Sequence, residues 1–485
     1  MDQAPAPSRR RLSADVAIVG AGSGGLVAAS GAAQLGLNVV LFEKGEMGGD
    51  CLNYGCVPSK ALIAAGRAAQ AARNAHRFGV HVGDLRIHWD EVAAHVRSVI
   101  QSIAPADSQE RFESMGVTVV REAARFADPR TLVSETVEVR ARKFAIATGA
   151  RAFVPPVPGL DKVGYLTNET IFDLAERPGR LFILGGGAIG IELGQAFARL
   201  GSEVIIVEAK EILAGADGEA RAVMRERLDL EGVMLRENAK VTGVAQLEQG
   251  ALRVTAETAS GEETIVCSHI LVAAGRRPVI EGLELERANV AYNARGVVTN
   301  AHLRTTNPRI WALGDVAGRE QFTHAAGFHG GLFVRNALFR LSPASADSLP
   351  VPRVVYADPE LAEVGLSEAD ARARYGARVR TVRWSLEDND RAATERAQDG
   401  FAKIVVGPGG KVLGGVIVGE AAGELIALLQ FAVANRLKIG ALASHFMPAY
   451  PTRIEAVKRA AGQYFSGALF SKKTRAAVAV LSRLP

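Results

Sequence analysis

The sequence predicts an α/β protein that contains two copies of one strand–helix–strand unit. Residues 16–20 (VAIVG) and 181–185 (LFILG) are short apolar runs that each end in a glycine-rich turn. A helical stretch follows each turn, and then a second apolar run ends in an acid, Glu43 or Glu208. The offset between the copies is 165 residues, both from Gly20 to Gly185 and from Glu43 to Glu208. This repeat predicts two doubly wound units with parallel strands.

The turns of both units have the glycine spacing of dinucleotide-binding turns. The glycines are Gly20, Gly22 and Gly25 in the first copy, and Gly185, Gly187 and Gly190 in the second. The first permits a tight turn, the second lets the backbone approach a pyrophosphate, and the third lets the helix pack on the strand. The positive end of the helix faces the phosphates, and the acid accepts hydrogen bonds from the adenosine ribose. Two complete copies therefore predict two dinucleotide sites.

A pair of cysteines follows the first unit. Cys51 and Cys56 are close in sequence, and the only other cysteine, Cys267, lies in an apolar strand as a buried, inert thiol. One close pair indicates a redox switch rather than structural disulfides. We therefore assign the tightly bound FAD to the first site and a diffusible nicotinamide to the second. Glu208 would repel a 2′-phosphate and favours NADH over NADPH, although Lys210 and Arg236 would weaken that repulsion.

Three further segments complete the predicted FAD site. Residues 143–149 (KFAIATG) form a strand that ends close to the cofactor, and residues 305–315 bring Asp315 to the carboxyl end of another strand. Residues 322–328 (FTHAAGF) start a helix whose amides face the flavin, with His324 in a positioning role. The predicted FAD contacts are Gly20, Gly22, Gly25, Glu43, Lys44, Gly49, Thr148, Gly149, Gly314, Asp315, Thr323, His324 and Ala325. The predicted NAD(P) contacts are Gly185, Gly187, Ile189, Gly190, Glu208 and Gly275.

Composition and charge exclude several other classes of protein. The 485 residues are 48% hydrophobic and 22% charged, as in an ordinary globular chain. The net charge of +5 comes from basic ends around an acidic body, which argues against a nucleic-acid-binding surface. The sequence shows no membrane span or signal peptide and no metal site, so we expect a cytoplasmic protein. The ends are expected to be solvated tails, and contact of the basic C-terminal tail with an anionic membrane is a minor alternative.

These motifs together resemble the FAD-dependent pyridine nucleotide–disulfide oxidoreductases, a family that includes dihydrolipoamide dehydrogenase, glutathione reductase and mercuric reductase. The matching motifs, in family order, are GGDCLNYGCVPSK, GGGAIGIELG, AAGRRP, IWALGD and DPELAEVGLSE. The resemblance implies a FAD domain split by an inserted NAD(P) domain, a C-terminal α+β dimerisation domain, and a homodimer with a shared active site. The implied divisions are a disordered basic N-terminus (1–12), the FAD domain (13–154), the NAD(P) domain (155–280), the second FAD part and central segment (281–350), the interface domain (351–466) and a basic tail (467–485).

The resemblance also assigns roles to the residues around the cysteine pair. Cys51 exchanges with the oxidant, and Cys56 faces the flavin. A helix that begins near Cys56 would lower the pKa of its thiol. Lys60 lies one turn further on the same helix face and, paired with Glu192, would stabilise negative charge on the flavin.

One motif departs from the family pattern near the C-terminus. Disulfide reductases of the family carry His-Pro-Thr-x-x-Glu, but residues 450–455 read YPTRIE, with Tyr450 in the histidine position. A phenol has a pKa near ~10 and is a poor proton shuttle at neutral pH. Glu455 has two interpretations, as a catalytic residue or as part of a helix-capping box with Thr452. His445 is a further candidate for the missing acid/base.

The predicted function is a mercuric reductase-like flow of electrons from NAD(P)H through FAD to Cys51–Cys56, and then to a thiol-reactive oxidant, either a small molecule or a metal ion. The tyrosine and the following EAVKRAAGQYF resemble mercuric reductase, but the chain has no C-terminal cysteine pair and no N-terminal metal-binding domain. Dihydrolipoamide dehydrogenase, another small-disulfide reductase, and NADH oxidase or peroxidase are the enzymatic alternatives. A non-catalytic flavin redox sensor is the alternative of another class.

Overall fold

The structure is a computed structural model that describes residues 9–339 and 343–484. The described residues form two compact units. The first comprises residues 9–210 and 236–348, and the second comprises residues 211–235 and 349–484, apart from the undescribed residues. The six-part division expected from the sequence stays a prediction.

The strands and helices follow in chain order. The strands are β1 Arg10–Val19, β2 Val39–Phe42, β3 Val117–Val120, β4 Arg125–Asp128, β5 Thr131–Val133, β6 Val137–Ile146, β7 Ala150–Ala152, β8 Arg180–Leu184, β9 Glu203–Val207, β10 Met234–Arg236, β11 Lys240–Gln246, β12 Leu252–Thr258, β13 Gly261–Cys267, β14 His269–Val272, β15 Arg276–Pro278, β16 Tyr292–Asn293, β17 Gly296–Val297, β18 Ile310–Ala312, β19 Arg353–Val355, β20 Glu360–Gly365, β21 Arg380–Ser385, β22 Phe401–Val406 and β23 Val412–Gly419. The helices are α1 Ser23–Gln34, α2 Gly49–Asn53, α3 Cys56–Asn74, α4 Trp89–Ile103, α5 Gln109–Ser114, α6 Ala188–Arg199, α7 Gly218–Leu230, α8 Thr323–Phe333, α9 Glu368–Tyr375, α10 Asp390–Thr394, α11 Ala422–Ala434, α12 Glu455–Leu469 and α13 Lys472–Leu481.

A seven-stranded sheet organises the first unit. Its order is β3-β2-β1-β6-β5-β4, and β18 pairs with β6. Strands β1, β6 and β18 run parallel, with Val19 opposite Ile146 and Ala312 opposite Ile146. Their carboxyl ends therefore meet at one edge, which is where parallel sheets bind ligands. This register brings the first glycine turn, residues 147–149 and residues 314–315 to the same edge.

The N-terminal boundary of this sheet corrects one expectation. Residues 10–12, expected in a disordered tail, are the start of β1 and pair with residues 137–139 of β6. Leu12 also packs against the core of the unit, so burial and backbone pairing hold this segment in the sheet. Residues 1–8 of the expected tail lie outside the described residues.

The second repeat reproduces the first at the predicted offset. Strands β8, β9 and β14 are parallel, and α6 occupies the position of α1. Helix α1 runs from Ser23 to Gln34 and α6 from Ala188 to Arg199, so both ends are displaced by 165 residues. The predicted repeat is therefore confirmed. Cys267 is buried at the end of β13, and burial raises the pKa of its thiol to about 11.

The second unit is built on the antiparallel sheet β19-β20-β23-β22-β21. Strands β22 and β23 form a hairpin around residues 408–410, and α11 follows it. The expected basic tail from residue 467 is mostly exposed and helical: α12 continues to Leu469, and α13 starts where the Ser471 hydroxyl accepts a hydrogen bond from the Thr474 amide. Pro485 lies outside the described residues. Within residues 9–339 and 343–484, no helix combines the length and apolarity that a membrane span needs.

Candidate redox-active and nucleotide-binding site

The first and third glycines of each turn are required by close backbone packing. Gly20 has a φ of +104°, and a Cβ there would lie 2.3 Å from the Ala147 carbonyl oxygen. A Cβ on Gly25 would lie 1.9 Å from the Gly20 carbonyl oxygen. Both distances are far below van der Waals contact, so a side chain at either position would push α1 away from β1 or β1 away from β6.

The second turn has the same geometry. Gly185 has a φ of +118°, and a Cβ there would lie 2.4 Å from the Ala273 carbonyl oxygen. A Cβ on Gly190 would lie 2.0 Å from the Gly185 carbonyl oxygen. The two copies therefore share their strand-to-helix packing as well as their sequence spacing.

The middle glycines face open space, as a pyrophosphate site requires. Among the described residues, no atom lies within 4 Å of a Cβ built on Gly22 or Gly187. Each of these glycines immediately precedes a helix, at the N-termini of α1 and α6. An anion beside them would meet unpaired amides and the positive end of the helix dipole. Both turns therefore fit the diphosphate of a dinucleotide.

Backbone amides fix the two predicted ribose acids beside these turns. Glu43 accepts hydrogen bonds from the amide of Ala21 at 2.7 Å and from that of Gly45 at 2.7 Å. Glu208 accepts the corresponding bonds from Gly186 at 2.8 Å and Lys210 at 3.0 Å. Each carboxylate is thus oriented at the end of its strand, where ribose hydroxyls are expected.

The remaining predicted cofactor contacts lie on these turns and on their neighbouring segments. Gly49 packs on the first turn, where its Cβ would lie 2.8 Å from the Gly22 Cα. Lys44 is exposed after Glu43, and Ile189 is half-buried in the first turn of α6. Gly149 and Gly275 both have positive φ values, and the Thr148 hydroxyl donates to the Val279 carbonyl at 2.7 Å. In α8, Thr323 is the first residue, the His324 ring stacks on Phe322, and Ala325 is buried.

A histidine that the sequence analysis missed holds Gly314 in place. His329 is buried in α8, and its Nδ1 accepts a hydrogen bond from the Gly314 amide at 3.1 Å. Burial, and then the nearby Arg319 cation, lower the pKa of His329 to about 4. The imidazole is therefore neutral and presents Nδ1 as an acceptor. The second histidine of FTHAAGFHG was its only sequence signal.

His329 predicts an acid-sensitive fold. The pKa is about 6.5 in an unfolded chain and about 4 in the fold, so native stability falls as the pH drops between these values, by about 1.4 kcal/mol per unit. We expect His329→Gln, which retains an acceptor for the Gly314 amide, to flatten this dependence. Urea unfolding of both proteins from pH 7 to pH 4.5 measures it. Equal slopes for the two proteins would contradict this assignment.

The two redox cysteines lie on successive helices. Cys51 lies within α2, and Cys56 is the first residue of α3. The two thiols hydrogen bond to each other, and Cys56 Sγ lies 3.3 Å from the Thr323 Oγ1 at the start of α8. The predicted helix start at Cys56 is therefore present, and the segment predicted to face the flavin touches this cysteine.

The two thiols have opposite acidities. The hydrogen bond from Cys51 is the largest influence that lowers the pKa of Cys56, to about 6, and Thr323 and Lys60 act in the same direction. The same bond, together with burial, raises the pKa of Cys51. At neutral pH the reduced pair therefore holds a thiolate on Cys56 and a proton on Cys51.

Lys60 and Glu192 meet as the family resemblance implies. Lys60 Nζ lies 2.7 Å from Glu192 Oε2. The glutamate side chain is only 7% exposed and the lysine side chain 36%. The pair joins α3 to α6, so it ties the helix of the redox pair to the helix of the second glycine turn.

Tyr450 is exposed in the second unit, where its hydroxyl donates to Asp390 Oδ2 at 2.9 Å. This hydrogen bond raises the pKa of Tyr450, which makes the phenol a still weaker proton donor–acceptor couple at neutral pH. His445 is also exposed, at the end of a short helical turn. The phenol of Tyr450 therefore lacks the environment of a neutral-pH proton shuttle.

Glu455 makes only half of the capping box considered above. Its Oε2 accepts from the Thr452 amide at 3.4 Å, but the Thr452 hydroxyl donates to the Ala449 carbonyl at 2.6 Å. Helix α12 begins at Glu455 itself. The capping interpretation therefore holds for the carboxylate and is wrong for the threonine hydroxyl, because that hydroxyl turns back to the preceding loop.

Comparison with known families identifies the chain. The family model "Pyridine nucleotide-disulphide oxidoreductase" matches residues 14–330, and the dimerisation-domain model of the same family matches residues 351–461. The chain belongs to this family. It is an FAD-dependent oxidoreductase of class I, with the predicted α/β fold and a C-terminal dimerisation domain.

Relatives of this oxidoreductase include two kinds of enzyme. It is 36% identical to a mercuric reductase of Streptomyces lividans, over 93% of this chain and 96% of that one. It is also 36% identical to a dihydrolipoyl dehydrogenase of Thermus scotoductus, over 92% and 96%. Among solved structures, the HOCl-induced flavoprotein disulfide reductase RclA of Escherichia coli matches with a TM-score of 0.82 and 27% identity, over 92% and 99%. These relatives support a flavoprotein disulfide reductase and leave its oxidant open.

Proposed function

We propose that this oxidoreductase takes two electrons from NADH, uses them to break a Cys51–Cys56 disulfide, and delivers them to a thiol-reactive oxidant. FAD, when bound at the first glycine turn, would supply electron transfer between the nicotinamide and the sulfurs. The resulting dithiol returns to the disulfide as the oxidant takes up the two electrons. The observation that carries this proposal is the position of Cys56, which is the first residue of α3 and whose Sγ lies 3.3 Å from the Thr323 Oγ1 at the start of the helix predicted to face the flavin.

Each nucleotide would be held by its own set of residues. The turn of Gly20–Gly25 with Glu43 would hold FAD, and the turn of Gly185–Gly190 with Glu208 would hold the nicotinamide dinucleotide. Asp315 would bind hydroxyl groups of FAD through its carboxylate, which Arg276 faces. Burial raises the pKa of this carboxyl group. Lys60, oriented by Glu192, would place positive charge beside the flavin.

NADH is the favoured reductant. Glu208 is held at the end of β9 by two amides, so a 2′-phosphate would meet a fixed negative charge. Arg236, which could offset that charge, makes two hydrogen bonds from Nε to Glu263, at 3.1 and 2.9 Å. The match to the dimerisation domain supports a homodimer as the active form.

Two oxidant classes remain in competition. Tyr450 favours an oxidant whose reduction does not need a histidine acid/base, such as Hg(II), in line with the mercuric reductase relatives. The dihydrolipoyl dehydrogenase relatives and Glu208 favour a small dithiol–disulfide couple such as lipoamide. We rank the first above the second because the phenol lacks a neutral-pH proton function.

A steady-state panel tests the proposed function. NADH and NADPH would each be offered with Hg(II), lipoamide, glutathione disulfide, a quinone and oxygen. We expect NADH to be preferred, and Hg(II) or lipoamide to be turned over faster than glutathione disulfide. Turnover of oxygen or the quinone alone, unaffected by alkylation of the reduced cysteines, would exclude the proposal.

Restoring the histidine should change the response to disulfides. We expect Tyr450→His to raise kcat with lipoamide about tenfold or more, because an imidazole titrates near neutrality and general acid–base catalysis contributes on that scale. Hg(II) turnover should change little. Tyr450→Phe is the matched control, since it removes the hydroxyl without supplying a base. An unchanged lipoamide rate in the histidine variant would remove the missing acid/base as an explanation.

A further inference from the structure

Asp50 is a charged neighbour of the redox pair and has no part in the proposed binding of FAD or NADH. It directly precedes Cys51, and a Cβ on Gly55 would lie 3.0 Å from its Oδ2, so the carboxylate lies over the residue that immediately precedes α3. Its Oδ1 accepts from Asn168 Nδ2 at 2.9 Å, and its Oδ2 lies 3.1 Å from Arg276 Nη2. The carboxylate is therefore held by two partners that are distant in sequence.

Both partners also bind the surrounding backbone. Asn168 is buried, and its Nδ2 lies 3.3 Å from the Tyr54 carbonyl, within the loop between the two cysteines. Arg276 donates to the Ala150 carbonyl at 2.7 Å, and its side chain is 14% exposed. The guanidinium Nε also lies 3.9 Å from Asp315 Oδ2. One arginine thus connects the redox loop, the segment after β6 and the predicted FAD-binding aspartate.

Two groups of charged side chains lie near the sulfurs. Lys60 pairs with Glu192, and Arg276 faces both Asp50 and Asp315. Thr323 contributes a hydroxyl from α8. Asp50 raises the pKa of both thiols through its negative charge, while Lys60 lowers that of Cys56. Because Arg276 is in contact with Asp50, it must offset part of the aspartate's effect.

We propose that Asp50 and Arg276 are a positioning pair that fixes the 50–56 loop and sets the charge balance at Cys51–Cys56. This inference rests on the proposed redox role of the two cysteines. Asp50 supplies a negative charge that favours protonated sulfur, and Arg276 limits that charge while linking it to Asp315. Because Arg276 faces both aspartates, the pair links FAD binding at Asp315 to the protonation of Cys51 and Cys56.

Removing the negative charge of Asp50 and the positive charge of Arg276 in separate variants tests this role. The measurement is the pH midpoint of the thiolate–flavin charge-transfer absorbance in the two-electron-reduced, FAD-loaded protein. We expect Asp50→Asn to lower the midpoint and Arg276→Gln to raise it, each by about half a unit to one unit. The double variant should return close to the wild-type value. Arg277→Gln is the matched control, since that exposed arginine on the same strand pairs with Glu281 and should leave the midpoint unchanged.

A purely structural clamp predicts a different pattern. Breaking the same contact from either side would then shift both midpoints in one direction, or shift neither, and this result would overturn the proposal. If Arg276→Gln fails to retain FAD, Arg276→Lys is the second variant, because it keeps the positive charge and should have the wild-type midpoint. A raised midpoint in Arg276→Lys would also overturn the proposal. Absence of charge-transfer absorbance in the wild-type protein would instead contradict the proposed function itself.

Discussion

Replacement of Cys56 by serine should reduce NADH-dependent turnover of every productive oxidant by about a thousandfold or more, since loss of a covalent catalytic group has effects of this size. The variant should also lack charge-transfer absorbance at any pH. The reason is that Cys56 is the thiol whose pKa is lowered, by its hydrogen bonds with Cys51 and Thr323 and by the nearby positive charge of Lys60. A serine hydroxyl supplies no anion under the same conditions.

The companion variant, Cys51→Ser, should lose turnover equally but show the opposite spectrum. Cys56 can no longer form a disulfide, so its thiolate persists in the oxidised protein, and serine still offers a hydrogen bond to it. We expect constant charge-transfer absorbance that disappears only as the pH falls through about 6. Cys267→Ala is the control, and it should retain turnover because that thiol is buried at the end of β13. If the two spectra were exchanged, the assignment of the two cysteines would be wrong.

Gly190→Ala should destabilise the fold by about 3 kcal/mol, the upper range for overpacking, because its Cβ would lie 2.0 Å from the Gly185 carbonyl oxygen. Helix α6 would have to move away from β8. Gly187→Ala is the matched variant three residues earlier, where no described atom lies within 4 Å of the added Cβ. It should keep the wild-type Tm and instead raise the KM for NADH about tenfold, as expected for lost binding to a nucleotide phosphate.

Thermal unfolding and steady-state kinetics together separate these two effects. One glycine is required by the protein's own packing, and the other is required by the ligand. If Gly187→Ala lowered the Tm as much as Gly190→Ala, the open space beside Gly187 would not be a ligand site. If it changed neither quantity, the nicotinamide dinucleotide would bind elsewhere.

The sequence predicted those features that depend on local spacing. The glycine turns and the amide-bound acids Glu43 and Glu208 are each indicated by residues within one strand–helix–strand unit, and the start of α3 at Cys56 is indicated by the segment that directly follows the first unit. The turns and the acids recur at a constant offset, and this repetition made their prediction secure because two copies had to agree. The Lys60–Glu192 pair spans 132 residues, and the family resemblance supplied it, because spacing within the chain does not indicate it.

The features that were missed depend on contacts between distant segments. His329 binds Gly314 across 15 residues, and Asp50 meets Asn168 across 118 residues. A charged residue next to a cysteine gives no sequence signal of the partner that neutralises it. The C-terminal helix is a different case, because the Ser471 cap that starts it is a local contact with Thr474 that the sequence analysis did not use.

Anaerobic titration of the FAD-loaded protein with NADH shows whether Cys51 and Cys56 receive the first two electrons. We expect these two electrons to produce two new thiols, which are lost when Cys51 or Cys56 is replaced, together with charge-transfer absorbance while the flavin remains oxidised. Bleaching of the flavin by the first equivalent of NADH, with no gain in thiols, would contradict it.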